Sequence, residues 1–207
     1  MELLISHANE KTISNNLNCH ISNKSLQILL CFSHLSWDFV YQRPQHLLSR
    51  FSIDYTVMFF EEPVYDSHGD ASLSFLLKSE NLWVVAPHLP AGTPHDKSNA
   101  IIKRLLDNLL KSHDLNSYIF WYYTPMALSF SSHFKPSFIV YDCMDELSNF
   151  KFAPPKLREI EEELFSRANI VFLPFADAFL SKQSWTLTFE KMTERISQSL
   201  HSNTILN

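Results

Sequence analysis

The residues best suited to chemistry cluster directly after short apolar runs. Behind Leu26–Phe32 comes Ser33-His34-Leu35-Ser36-Trp37-Asp38-Phe39-Val40-Tyr41-Gln42-Arg43-Pro44-Gln45-His46. Behind Tyr55–Phe60 come Glu61, Glu62 and Tyr65. Pro87-His88-Leu89-Pro90 follows a third run, Tyr122-Tyr123-Thr124-Pro125 a fourth, and Asp142, Met144, Asp145 and Glu146 a fifth. Aromatic faces cover C–H patches, and charged groups take hydroxyls in pairs, so this mixture suits a sugar. The candidate binding residues are His34, Trp37, Asp38, Gln42, Arg43, Glu62, Tyr123, Asp142 and Asp145. Each also has an ordinary structural use. Trp37 suits a core or a lid, and His34 suits a hydrogen bond at a strand end. Asp142 and Asp145 suit turn caps. Arg43 opens a helix, where the dipole favours carboxylates, so it needs an anionic partner. That partner is either a ligand or a carboxylate of this chain. Glu159, Glu161, Glu162 and Glu163 read as a solvated helix face.

The elements that must carry these residues follow from the apolar pattern. Continuous apolar runs at 26–32, 55–60, 82–86, 118–122, 138–142 and 169–173 are strands buried on both faces. Helical spacing appears over 43–51, 97–112, 125–131 and 154–168. Trp185, Phe189, Met192, Ile196 and Leu200 form one apolar stripe on a last helix over 185–200, with fraying expected after Ser199. Strands alternating with helices imply an α/β domain built on a Rossmann-like parallel sheet flanked by helices. In such sheets ligands sit beyond the carboxyl ends of the strands, where the distinctive residues fall. The expected organisation is a flexible tail over 1–25, a sheet domain over 26–173 and an appended helical segment over 174–207.

Composition narrows the function. The chain has 207 residues, 45% of them hydrophobic, and a net charge of −5. Nothing in that balance neutralises a phosphate backbone, so nucleic acid is not an expected partner. Gly69 and Gly92 are the only glycines, against a usual share of about 7%. Neither standard glycine-rich phosphate loop can be written with two. Cys19, Cys31 and Cys143 offer no zinc spacing and suit a reducing compartment, with Cys31 a small buried core residue. No apolar stretch approaches the ~18 residues of a membrane span, and no signal peptide opens the chain. The expected location is the cytoplasm, with no metal and no cofactor.

The segment from Ser33 to Leu48 resembles the opening of a bacterial glycosyltransferase subgroup. It lies within the GT-B retaining transferases of family 4, and some members are fused to UDP-galactopyranose mutase. Pro87–Gly92, Trp121–Leu128 and Tyr141–Ser148 are similar to later signatures of that subgroup, in the same order. The resemblance spans about residues 26–172. It implies the N-terminal, acceptor-side half of a GT-B fold, as used in making cell-surface polysaccharides. The reaction it implies is transfer of a sugar from a nucleoside diphosphate to an acceptor hydroxyl with retention. That route needs no carboxylate nucleophile and usually no metal, and no catalytic residue is assigned here.

The family's second domain holds the donor through two glutamates separated by seven residues. Only Glu2 and Glu10 have that spacing, and they lie in the polar tail. Residues 177–192 resemble the family's final tail instead. The expectation is therefore a transferase-like chain without its donor domain, which does not catalyse transfer alone. A subunit that pairs with a separate donor-domain protein, and a decayed gene product, are the alternatives. An acceptor glycan is the expected ligand. Loss of a domain would also leave Trp37, Tyr41, Tyr65, Tyr122 and Tyr123 exposed and favour self-association.

Overall fold

Every side chain of Ile28–Phe32, the first strand (β1), is buried, which requires cover on both faces and neighbours on both sides. The computed structural model, which describes residues 27–111, 113–144, 156–173 and 185–204, supplies both. Thr56–Phe60 (β2) runs parallel on one side and Tyr118–Tyr122 (β6) parallel on the other. Beyond β6 come Phe138–Asp142 (β7) and Ile170–Phe172 (β8), also parallel. Beyond β2 comes Leu82–Pro90 (β5), parallel again. The strand order is therefore β5-β2-β1-β6-β7-β8, and the direction of chain progress reverses between β1 and β6.

Alternation along the strands divides the core into two layers. Leu30, Phe32, Phe60, Phe120 and Tyr122 point to one face. There they meet Ile102, Leu106 and Leu109 of His95–Leu110 (α2), Leu128 of Leu128–Ser131 (α3) and Leu164 of Leu157–Arg167 (α4). Leu29, Cys31, Phe59 and Trp121 point to the other face. That face is covered by Leu47, Leu48 and Phe51 of Arg43–Phe51 (α1) and by Met192 and Ile196 of Trp185–Thr204 (α5). The result is a Rossmann-like α/β sandwich. Pro44 in the first turn of α1 sits where no amide bond is lost. Gln45 Oε1 accepts the Gln42 backbone N–H at 2.9 Å and closes the helix start.

Two strands have no counterpart in the sequence reading. Val64–Ser67 (β3) prolongs the line of β2, since Phe60 stands opposite Val85 and Val64 opposite His88. Ser72–Ser79 (β4) pairs antiparallel with β5 and forms a sheet edge. Pro63 hides the continuation of β2, and half-exposed β4 lacks a clean apolar run. Across these three strands His88 Nδ1 meets Asp66 Oδ1 at 2.7 Å, and His88 Nε2 meets Ser74 Oγ at 2.9 Å.

Several boundaries move. β1 starts at Ile28 rather than Leu26, and β5 continues to Pro90 because β4 pairs with its second half. The helix expected over 97–112 spans 95–110, and the last strand contracts to 170–172. The tail over 1–25, Pro154 and Pro155 at the expected start of α4, and the connection over 174–184 lie outside the described residues. The last helix persists to Thr204 instead of fraying after Ser199. Tyr122 and Tyr123 are buried rather than exposed, since each strand end is itself covered.

The docking of α5 is specific. Met192 and Ile196 are each 3% exposed, and the Phe189 ring meets Phe51 edge-on with centroids 4.7 Å apart. Leu200 packs on the same layer, while Glu190, Glu194 and Arg195 face solvent. The side chain of Trp185 lies outside the described residues. Met192→Ala is expected to cost about 2–5 kcal/mol in a urea titration, the usual range for truncating a buried Met. Removing the chain from Ser184 onward should lower the melting temperature more than that single substitution does.

Candidate functional site

The strand ends around the reversal point place the candidate residues. The Ser33 amide bonds Phe60 O, and the Tyr123 amide bonds Phe32 O, so β1, β2 and β6 end level with one another. The loop after β1 then crosses above them. Glu61 holds this loop from β2, because its Oε1 accepts the Trp37 backbone N–H and the Ser36 hydroxyl. Gln45 Nε2 donates to Trp37 O at 2.7 Å, and the indole meets Phe59 edge-on at 5.0 Å. Trp37 is thus a half-buried wall of the α1 side. Asp38 turns outward and pairs with Lys78 of β4 at 2.8 Å. His34 and Gln42 are half-buried in the same loop.

Arg43 finds its anion inside the chain. Its Nη2 lies 2.8 Å from Asp142 Oδ1, and its Nε donates to Oδ2 at 3.1 Å. The Asp142 side chain is fully buried and that of Arg43 is 10% exposed. The pair is a two-point contact on the α1 face of the sheet. Met192 Sδ lies 4.0 Å from Arg43 Nη2, so α5 closes over the guanidinium. Burial pushes the Tyr123 phenol well above its ordinary range, and the Asp142 carboxylate adds to the effect. Burial likewise raises the Cys31 thiol, with Asp142 again contributing, so this thiol is inert. Arg43, Asp142 and Tyr123 are therefore brought together as an internal brace. Asp145 lies outside the described residues.

The opposite face opens into a cavity of about 430 Å³. Its apolar wall includes Phe60, Tyr65, Ile102, Met126 and Phe130. Its polar groups include Glu62, His95, Asn99, Thr124 and Ser129. The volume falls in the ~300–1,000 Å³ range of small-molecule sites. The position, beyond β1 and β2 beside the reversal point, is where open α/β sheets bind ligands. Tyr65 is pinned by a 3.0 Å hydrogen bond to Ser98, which is buried in the first turns of α2. Glu62 sits at the mouth. Partial desolvation raises its carboxyl above the ordinary value, and His95 opposes that rise.

Of the eight sequence candidates among the described residues, Glu62 alone lines this cavity. His95, Asn99 and Ser129 were not singled out from the sequence. A signal existed, since positions 95, 98, 99 and 102 share one face of α2 at helical spacing. Among the described residues no group of three or more His, Cys, Asp or Glu side chains could hold a metal ion. The Asp66–His88–Ser74 line has the connectivity of an acid, a base and a hydroxyl. It lies away from the cavity, with Asp66 and Ser74 exposed, and serves as a cross-strand clip.

No family model and no curated protein matches the chain. Solved structures do. One, from E. coli, is described as trehalose-6-phosphate bound with UDP-2-fluoro glucose. It is similar at a TM-score of 0.45 and 12% identity, over 70% of this chain and 39% of that one. An α,α-trehalose-phosphate synthase (UDP-forming) from Burkholderia xenovorans, in complex with glucose-6-phosphate, gives 0.45, 10%, 70% and 39% in the same order. The α,α-trehalose 6-phosphate synthase of Burkholderia multivorans gives 0.40, 9%, 72% and 39%. The chain spans about two-fifths of the length of these structures.

Two outcomes follow from the geometry. Arg43→Ala strands a buried carboxylate and should cost about 3–5 kcal/mol of unfolding free energy, with Arg43→Lys recovering only part because lysine lacks the planar fork. Glu62→Gln tests the raised carboxyl. A carboxyl raised on folding stabilises the fold while protonated, and that contribution is lost as pH climbs through its folded value. The variant should therefore melt above the parent at pH 7, and the difference should vanish below about pH 4.5, the reference value for this group.

Proposed function

We propose that this chain is the acceptor-recognising part of a glycosyltransferase system. One observation carries the reading: a cavity beside the strand-order reversal combines aromatic walls with a carboxylate, an amide and hydroxyls. Aromatic faces suit the C–H side of a sugar ring, and the polar groups suit its hydroxyls. The resemblance of 33–48, 87–92, 121–128 and 141–148 to family 4 transferases supports the same reading, with cell-surface polysaccharide assembly as its setting. In this reading residues 26–173 form the acceptor-side unit, and 174–207 supply the helix that closes its back. The loop of His34, Trp37, Asp38 and Gln42 forms the neighbouring lip, and Glu62 forms the mouth. The Arg43–Asp142–Tyr123 brace holds that lip in place. Transfer itself would use a donor-binding domain, since donor diphosphate stabilisation supplies the electrostatic part of the chemistry. A cytoplasmic setting accords with the cysteine usage.

A second reading, a subunit that pairs with another chain, is favoured by one feature. Phe39, Val40 and Tyr41 stand in a row at 74%, 49% and 63% exposure. Consecutive exposed apolar residues on a rim suit a protein contact.

Saturation-transfer NMR with neutral mono- and oligosaccharides tests the first reading. Sugar contact is expected, and Ile102→Trp should abolish it by filling the cavity. Asn99→Ala should weaken it by about 3- to 10-fold, the worth of one neutral hydrogen bond. Absence of contact across the panel would sink this reading. Light scattering tests the second, with Phe39→Ser expected to reduce any association seen in the parent.

A further inference from the structure

We propose that this cavity is selective for uncharged hydroxylated acceptors and rejects phosphorylated or carboxylated ones; the inference rests on the acceptor reading above. The charged groups lining the cavity decide it. Glu61 and Glu62 are both present, and no lysine or arginine is among the lining residues. Glu61 is fixed there as an acceptor by the Trp37 amide and the Ser36 hydroxyl, so its negative charge is part of the wall.

Three cations on neighbouring elements are held by partners of their own. Lys103 of α2 pairs with Asp107 at 2.8 Å. Arg167 at the end of α4 pairs with Glu163 at 3.3 Å and donates to Ser132 O. Arg43 is on the opposite face of the sheet, two-point bonded to Asp142. The start of α2 carries a partial positive charge that could draw an anion. Asp96 already occupies its first turn, and Glu62 stands beside His95 there.

Donor and acceptor matching points the same way as charge. Ionised carboxylates only accept hydrogen bonds, so the ligand must donate. Sugar hydroxyls donate, whereas a phosphate group presents acceptor oxygens and about −1.5 to −2 charges at pH 7. Two such groups facing each other repel and leave acceptors unmatched.

The test compares neutral hexoses with their own 6-phosphates on the purified full chain. Glucose, galactose and mannose form the panel, with binding followed by saturation-transfer NMR and competition. At least one neutral hexose should bind ten times or more tighter than its 6-phosphate at low ionic strength. The gap should shrink in Glu62→Gln and reverse in Glu62→Lys, with circular dichroism melts confirming that both variants fold. If a 6-phosphate binds as well as its parent sugar, and Ile102→Trp blocks it, the charge inference falls while the acceptor reading stands. An unchanged gap in both Glu62 variants would also overturn the inference. If no hexose or phosphate contacts the cavity, both fall.

Discussion

The buried two-point contact between Arg43 and Asp142 holds the arrangement together. It joins residues 99 positions apart and locks the first residue of α1 to the last residue of β7. Such a pair repays its desolvation only when geometry is good and both ends are satisfied. Here α5 completes the enclosure through Met192, and Tyr123 fills the remaining space under the carboxylate. The direction of α1, and hence the height of the loop before it, depends on that contact. A neutral pair of similar volume could hold the helix to the strand. Its lack of a fork geometry would leave the loop less well defined.

Strand pleating separates this brace from the cavity. Phe59 and Phe60 are adjacent in sequence but point to opposite layers. Glu61 reaches back to hold the loop, and Glu62 meets the cavity mouth beside α2. Both carboxylates line the cavity, and Glu61 also anchors the loop through the Trp37 amide and the Ser36 hydroxyl. Partial desolvation raises the Glu62 carboxyl, and His95 opposes that rise.

At the far edge of the sheet, β3 and β4 extend β5 beyond the core strands. The Asp66–His88–Ser74 clip crosses all three. This extension matters to the cavity because Tyr65 of β3 leaves the opposite side of the same strand. It lines the wall and bonds Ser98. An edge strand with exposed Leu76 and Leu77 would invite pairing with another chain, and Lys78 between β4 and Asp38 helps to blunt it.

The local pattern by itself determined most of the framework. Continuous apolar runs such as Ile28–Phe32 and Tyr118–Tyr122 can be stable only as strands covered on both faces, and the spacing from Phe189 to Leu200 can bury only as a helix. It also required an anionic partner for Arg43, because the helix dipole disfavours a cation there. Tertiary structure alone decided that the partner is Asp142 rather than a ligand, since nothing local links residues 99 apart. It decided that Tyr122 and Tyr123 are enclosed, one on each face, where their types suggested an open rim. It also chose the side of the sheet on which the cavity opens. That choice depends on α2 being laid across β1 and β2, which brings His95 and Asn99 to Glu62 from more than 30 positions away. Periodicity records which faces are apolar, but packing determines which of them meet.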